Sequence, residues 1–295
     1  MIGAARCGTT SLWRALDSHP QIRVPSDKER EFFSSDERYG RGLGAYVERT
    51  FPELTGGETI GTVTPQLMQP QPQALETIVS RIGETCPDVK IVALLRDPIE
   101  RGVSQFRRMK KMTQRHRDEN FDGFIARLTE KRGRMDKIPL VRASDYGRIL
   151  SFYFEAFDRE QIRVFFTADL DRDPAAFYRQ VFEFLGVDPD HSPGEPRIHV
   201  GGTGTRVPPE ALAELLAELD RLGRFPAGDE NVRRGFAWWL RHLWNTEPDA
   251  AQTEVSAELR RRLARRYLKD ARTLEELLGA PPPWVGTLQA AAKAT

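Results

Sequence analysis

Two short, uninterrupted apolar runs constrain this chain more than any other feature: Val89-Lys90-Ile91-Val92-Ala93-Leu94-Leu95 and Ile162-Arg163-Val164-Phe165-Phe166. An apolar run without polar alternation reads as a strand buried on both faces, and such strands belong to parallel sheets covered by helices. Helical spacing lies between and after them. Tyr146, Ile149, Leu150, Tyr153 and Phe157 form one apolar stripe. Phe177, Val181, Phe184 and Leu185 form another, just after Asp173-Pro174, a dipeptide suited to starting a helix. Strands alternating with helices predict an α/β fold, a doubly wound parallel sheet flanked by helices.

At 295 residues the chain exceeds the usual single-domain length without reaching that of two, so one domain with additions is expected. From Pro208 onward the strand signal fades into helical stretches, Glu210 to Leu222, Val232 to Trp244 and Glu254 to Leu278. These predict a helical C-terminal cap over residues 208–280, on an α/β core over residues 1–207, with a tail over residues 281–295. Pro/Gly clusters at Pro189 to Gly204 and Phe225 to Asp229 predict loops.

Charge is nearly balanced, 44 Lys and Arg against 43 Asp and Glu, so nothing points to a nucleic-acid coat and any basic site must be local. Cys7 and Cys86 are too few for a disulfide framework, which fits a reducing cytoplasm. No apolar run approaches a membrane span, and the N-terminus runs straight into a glycine-containing motif, so a cytoplasmic protein that neither is secreted nor enters a membrane is expected. His19, His116, His191, His199 and His242 lack metal-ligand spacing, and no metal is expected.

The segment Gly3-Ala4-Ala5-Arg6-Cys7-Gly8-Thr9-Thr10-Ser11-Leu12 has the length and glycine placement of a strand–loop–helix phosphate cradle. Backbone N–H groups around Cys7 and Gly8 and the hydroxyls of Thr9, Thr10 and Ser11 supply donors. Against the nucleotide-triphosphatase pattern G-x-x-x-x-G-K-[ST], the lysine position is Thr9, and Arg6 is the loop's one cation. That departure argues against an ATPase or kinase. It suits a donor whose single 5′-phosphate carries the group to be moved.

A second anion site follows the first apolar run. In Arg96-Asp97-Pro98-Ile99-Glu100-Arg101-Gly102-Val103-Ser104, Asp97 can cap a helix that Pro98 opens. Arg96 at the strand's end and Ser104 on the helix can converge on a second phosphate, at the edge where open α/β sheets hold ligands. Two phosphate sites imply a bisphosphorylated nucleotide.

These motifs, taken in order with His19-Pro20, Lys28-Glu29-Arg30-Glu31-Phe32-Phe33 and the tail from Tyr267 to Leu278 with Trp284, resemble those of sulfotransferases that use 3′-phosphoadenosine 5′-phosphosulfate (PAPS), nearest the heparan sulfate and bacterial carbohydrate branch. The resemblance implies a P-loop-like fold and PAPS as co-substrate, with adenosine 3′,5′-bisphosphate as product. It implies sulfuryl transfer to a hydroxyl or amine of a saccharide or small-molecule acceptor. It assigns the 5′-phosphosulfate to Arg6, Gly8, Thr9, Thr10 and Ser11, and the 3′-phosphate to Arg96 and Ser104. Thr205 and Arg206, in the Gly201 to Arg206 loop, are placed near that second phosphate. Glu29 maps onto the catalytic base, with Glu31 as the alternative, and Phe32 and Phe33 anchor the segment. Arg6 would stabilise the departing phosphate.

The chain also departs from the family pattern. Arg6 stands where lysine is common, and the family's E-K-[ST]-P-x-Y segment is Thr62-Val63-Thr64-Pro65-Gln66-Leu67, without acid, lysine or aromatic. Just Met1 and Ile2 precede Gly3, far short of a typical strand, so either the sequence begins late or the first strand is frayed. The basic stretch Arg107-Arg108-Met109-Lys110-Lys111 can steer an anionic donor or glycan, though it reads first as a solvated helix face, and Trp238, Trp239 and Trp244 read as core packing. Two other functional readings stand beside the first: a P-loop nucleotide kinase, and a non-catalytic nucleotide-binding module.

Overall fold

The computed structural model describes residues 1–26, 31–112, 116, 119–194 and 253–294. Among these, the strands are β1 (Ile22–Arg23), β2 (Thr59–Ile60), β3 (Ile91–Leu95) and β4 (Ile162–Phe166), and the pairs β1·β2 and β3·β4 both run parallel. Main-chain bonds join the two pairs through the first residues of the chain. Ile2 and Ala4 donate to the Val92 and Leu94 carbonyls at 2.9 and 2.8 Å, and Leu94 donates back to Gly3 at 2.7 Å. On the other side Met1 donates to Thr62 O at 2.6 Å and Thr64 donates to Met1 O at 3.1 Å. The short segment before the glycine loop is thus bonded along both edges and is not frayed.

β3 is buried along its whole length, which is why its sequence is a continuous apolar run. β4 buries Ile162 and Phe165 but exposes Arg163, and among the described residues it pairs with β3 alone.

The described helices are α1 (Thr9–Asp17), α2 (Asp36–Gly40), α3 (Leu43–Thr50), α4 (Pro72–Thr85), α5 (Pro98–Met112), α6 (Phe121–Arg132), α7 (Pro139–Arg142), α8 (Tyr146–Ala156), α9 (Thr167–Arg172), α10 (Pro174–Leu185), α11 (Ala257–Leu278) and α12 (Val285–Lys293). Leu12 of α1, Leu75 of α4, Phe106 of α5, Leu150 of α8 and Phe182 of α10 meet β3 in one continuous apolar cluster. A smaller cluster of Phe32, Tyr46 and Phe51 sits apart, around α2 and α3.

α11 crosses α8 at Gly147. A Cβ there would lie 2.4 Å from the Asp270 carbonyl oxygen and 2.8 Å from the Leu274 nitrogen, so the crossing admits glycine alone. Asp270 accepts from the Gly147 and Arg148 N–H groups, each at 2.9 Å, and caps α8 from across the interface. Burial pushes this carboxyl up to about 6. Asp145, just before α8, takes both ends of the Arg266 guanidinium, one at 2.8 Å. The expected helix from Glu254 to Leu278 is α11, whereas 210–222 and 232–244 lie outside the described residues. Among the described residues no helix is long and apolar enough to cross a membrane.

Candidate active site

The glycine loop turns between Ala4 and α1. Cys7 N–H bonds back to Ala4 O at 3.3 Å, and both Arg6 (φ 74°) and Gly8 (φ 93°) adopt left-handed backbone. Glycine does this without strain. For arginine the Cβ crowds the carbonyl, at about 1 kcal/mol or more, a kind of strain that clusters at functional sites. The strained residue is the loop's cation, and its Nε donates to Ser104 Oγ at 3.2 Å, joining the loop to α5. Burial first, then the Arg108 and Arg96 guanidiniums, push Arg6 below the ordinary arginine value, yet it stays charged at neutral pH.

α5 forms the opposite wall. Asp97 accepts from Ile99 N–H at 2.8 Å and Glu100 N–H at 3.0 Å, capping the helix that Pro98 begins. Arg101, 2% exposed, gives its Nε to the Ser144 hydroxyl and Nη2 to the Leu140 carbonyl, so its side chain is spent inside the core. Its charge still reaches Arg6. Arg96 is half-buried and Arg108 exposed. Arg6, Arg96, Arg101 and Arg108 therefore raise a local positive potential on a chain whose net charge is close to zero.

Thr167, first residue after β4, places its hydroxyl 2.8 Å from Cys7 O and 3.1 Å from Leu95 O. One buried side chain thus fastens the loop to the C-terminal ends of β3 and β4, the edge where open α/β sheets bind ligands. Gly8 caps α1, whose first turn carries Thr9, Thr10 and Ser11.

Of the residues expected here, the fold brings Arg6, Arg96 and Ser104 together beside the start of α1. Cys7 lies in the loop, but its thiol points into the core, 3.7 Å from the Tyr146 hydroxyl, and burial pushes its pKa up. That leaves its main chain to border the loop. Glu29, Thr205 and Arg206 lie outside the described residues. Glu31 is half-buried and its carbonyl accepts from Arg38 at 2.9 Å. Phe32 is buried against Tyr46, ring centroids 4.8 Å apart, and the Phe33 carbonyl accepts from Arg81 at 3.0 Å.

Sequence reasoning named Arg108 only as part of the basic stretch and missed Thr167. Arg108 follows Ser104 by one helical turn, a spacing that could have flagged it. Thr167 carries no signal except its place at a strand's end. The basic stretch is partly structural: Arg107 donates to Thr253 Oγ1 at 2.8 Å and Lys110 to Glu119 O at 2.9 Å. His116 sits 3.0 Å from Glu119, which Arg127 also holds. His19 is structural too. Its Nδ1 accepts from Gln21 N–H at 3.1 Å, so Nε2 carries the proton and donates to Asp188 O at 2.9 Å. Among the described residues no three His, Cys, Asp or Glu side chains gather as a metal site.

The sulfotransferase domain family matches residues 1–200, and the chain belongs to that family. A membrane-associated sulfotransferase, kil1, of Dictyostelium discoideum is 34% identical over 108 residues, 36% of this chain and 21% of that protein. Human heparan sulfate glucosamine 3-O-sulfotransferase 5 is 24% identical over 193 residues, 64% of this chain and 53% of that protein. The chain thus spans about a fifth to a half of these relatives. The crystal structure of a sulfotransferase from Alicyclobacillus acidocaldarius superposes with a TM-score of 0.54 at 28% identity, covering 79% of this chain and 97% of the other.

Proposed function

We propose that the protein moves a sulfuryl group from PAPS to a hydroxyl or amine of a saccharide or small-molecule acceptor. The observation that carries this is the Arg6–Ser104 bond of 3.2 Å, which makes one cationic pocket of two anion motifs far apart in sequence. A 5′-phosphosulfate fits the loop of Gly8, Thr9, Thr10 and Ser11, and a 3′-phosphate fits Arg96 and Ser104. Arg6 lies between them and neutralises charge on the departing phosphate oxygen.

In-line attack by the acceptor releases a proton, which Glu29 takes as general base, with Glu31 two residues on as the alternative. The likeness to the human heparan sulfate glucosamine 3-O-sulfotransferase supports a saccharide acceptor. We read the parallel sheet as P-loop-like and doubly wound, with the C-terminal helices as a cap on a single domain. Two free cysteines suit a reducing cytoplasm.

Isothermal titration with adenosine 3′,5′-bisphosphate against ADP and Mg-ATP tests the donor. Metal-independent preference for the bisphosphate, lost in Arg96→Ala and Ser104→Ala, supports it; preference for Mg-ATP points to the kinase reading. Glu29→Gln should abolish transfer and keep nucleotide binding, whereas unchanged transfer removes Glu29 from the mechanism.

A further inference from the structure

α11 brings one more cation to the end of β3. Arg260, in its first turns, places Nη2 3.8 Å from one oxygen of the Glu100 carboxylate. The other oxygen of that carboxylate lies 3.7 Å from Arg96 Nη2. A single acidic group on α5 therefore sits between two guanidiniums that come from distant parts of the chain.

Both separations exceed hydrogen-bond length, and the Arg96, Glu100 and Arg260 side chains are 34%, 43% and 36% exposed. Loose, hydrated pairs of this kind exchange partners readily. Phosphate is the better partner for two guanidiniums, because it carries more charge than a carboxylate and offers more oxygens to their planar donors. The charge of Arg260 also reaches the Asp97 carboxylate, which places it at the cap of α5 beside Arg96.

We propose that Arg260 is a ligand of the donor's 3′-phosphate, and that Glu100 is the internal anion holding Arg96 and Arg260 in place until that phosphate displaces it. This rests on the reading of Arg96 and Ser104 as the 3′-phosphate site. It makes α11 a determinant of specificity for 3′-phosphorylated nucleotides, and it couples nucleotide binding to the docking of α11 on α8.

The test is titration of the full chain with adenosine 3′,5′-bisphosphate and with 5′-AMP, which lacks the 3′-phosphate. Arg260→Ala should weaken bisphosphate binding about tenfold, in line with loss of one charge-assisted contact, and leave 5′-AMP within about twofold. Arg260→Lys should recover part of the loss. Glu100→Gln, which removes the competing charge, should tighten the bisphosphate a few-fold without changing 5′-AMP.

Unchanged bisphosphate affinity in Arg260→Ala overturns the assignment, as does an equal loss for both nucleotides, which would mean that Arg260 acts through the fold. If the unsubstituted chain binds neither nucleotide, the donor reading itself fails and takes this assignment with it.

Discussion

Residues 1–4 are laddered by main-chain bonds on both sides, and the loop that follows them is fastened by the buried hydroxyl of Thr167. Residues 31–54, by contrast, rest on an aromatic cluster of their own, Phe32, Tyr46 and Phe51, tied to α4 through Arg81. The glycine loop is continuous with the main core, so moving it disturbs β3. The segment that follows the proposed base is a satellite that can loosen while the core stays closed.

The largest effect that could break this contrast is expected from Phe32→Ala. Truncating a buried phenylalanine costs about 3 kcal/mol or more. Here the loss should surface as faster hydrogen exchange in residues 31–54, with exchange in β3 and affinity for the bisphosphate unchanged. A matching loss of nucleotide binding would mean that the two regions are one unit.

Next comes the cap of α8, which belongs to the core side. Burial raises the Asp270 carboxyl from 3.8 to about 6 on folding, so its stabilisation is full below pH 4 and is lost as pH rises through 6. Relative to Asp270→Asn, the unsubstituted protein should lose roughly 3 kcal/mol of unfolding free energy between pH 3 and pH 8. Parallel pH profiles in denaturant titrations would show that the two N–H bonds outweigh burial.

Thr167→Val sharpens the contrast from inside the site. It leaves the Cys7 and Leu95 carbonyls short of a donor, at about 2 kcal/mol in global stability, and should weaken bisphosphate and 5′-AMP alike. Stability lost without nucleotide affinity would separate the loop from its anchor. The smallest effect, about 1 kcal/mol, is expected for Arg81→Ala, whose partner Asp36 is exposed. It should appear as exchange limited to residues 31–40.

Much of the framework was legible in the sequence because each element carries its own pattern. β4 begins and ends where its apolar run does, and β3 starts two residues late because Val89 N–H turns back to Cys86 O. α8 follows its apolar stripe, α10 buries Tyr178 and Phe182 beside the expected Phe177 and Val181 and leaves Phe184 and Leu185 half-buried, and Asp97 and Pro98 open α5 as local chemistry requires. Long-range pairing left no such trace. Nothing in Met1 to Ala4 signals that residues 62–64 bond along one edge and residues 92–94 along the other, since main-chain ladders are blind to side-chain identity. Arg96 and Arg101 lie in one short segment, and what sends Arg101 into the core is the Ser144 and Leu140 contact, made by residues around α7. Arg260 carried no local hint, because its meaning depends on where α11 docks.

The cap that Asp270 sets on α8 has a consequence during synthesis. Two N–H donors at the start of α8 find their acceptor on a helix made much later, and Tyr146 of that same α8 packs beneath the glycine loop against Cys7. A nascent chain halted before α11 leaves the ribosome tunnel would carry an uncapped α8 and a poorly supported loop. The glycine loop therefore gains its full support only once α11 has been made, although the loop itself precedes α11 in the chain.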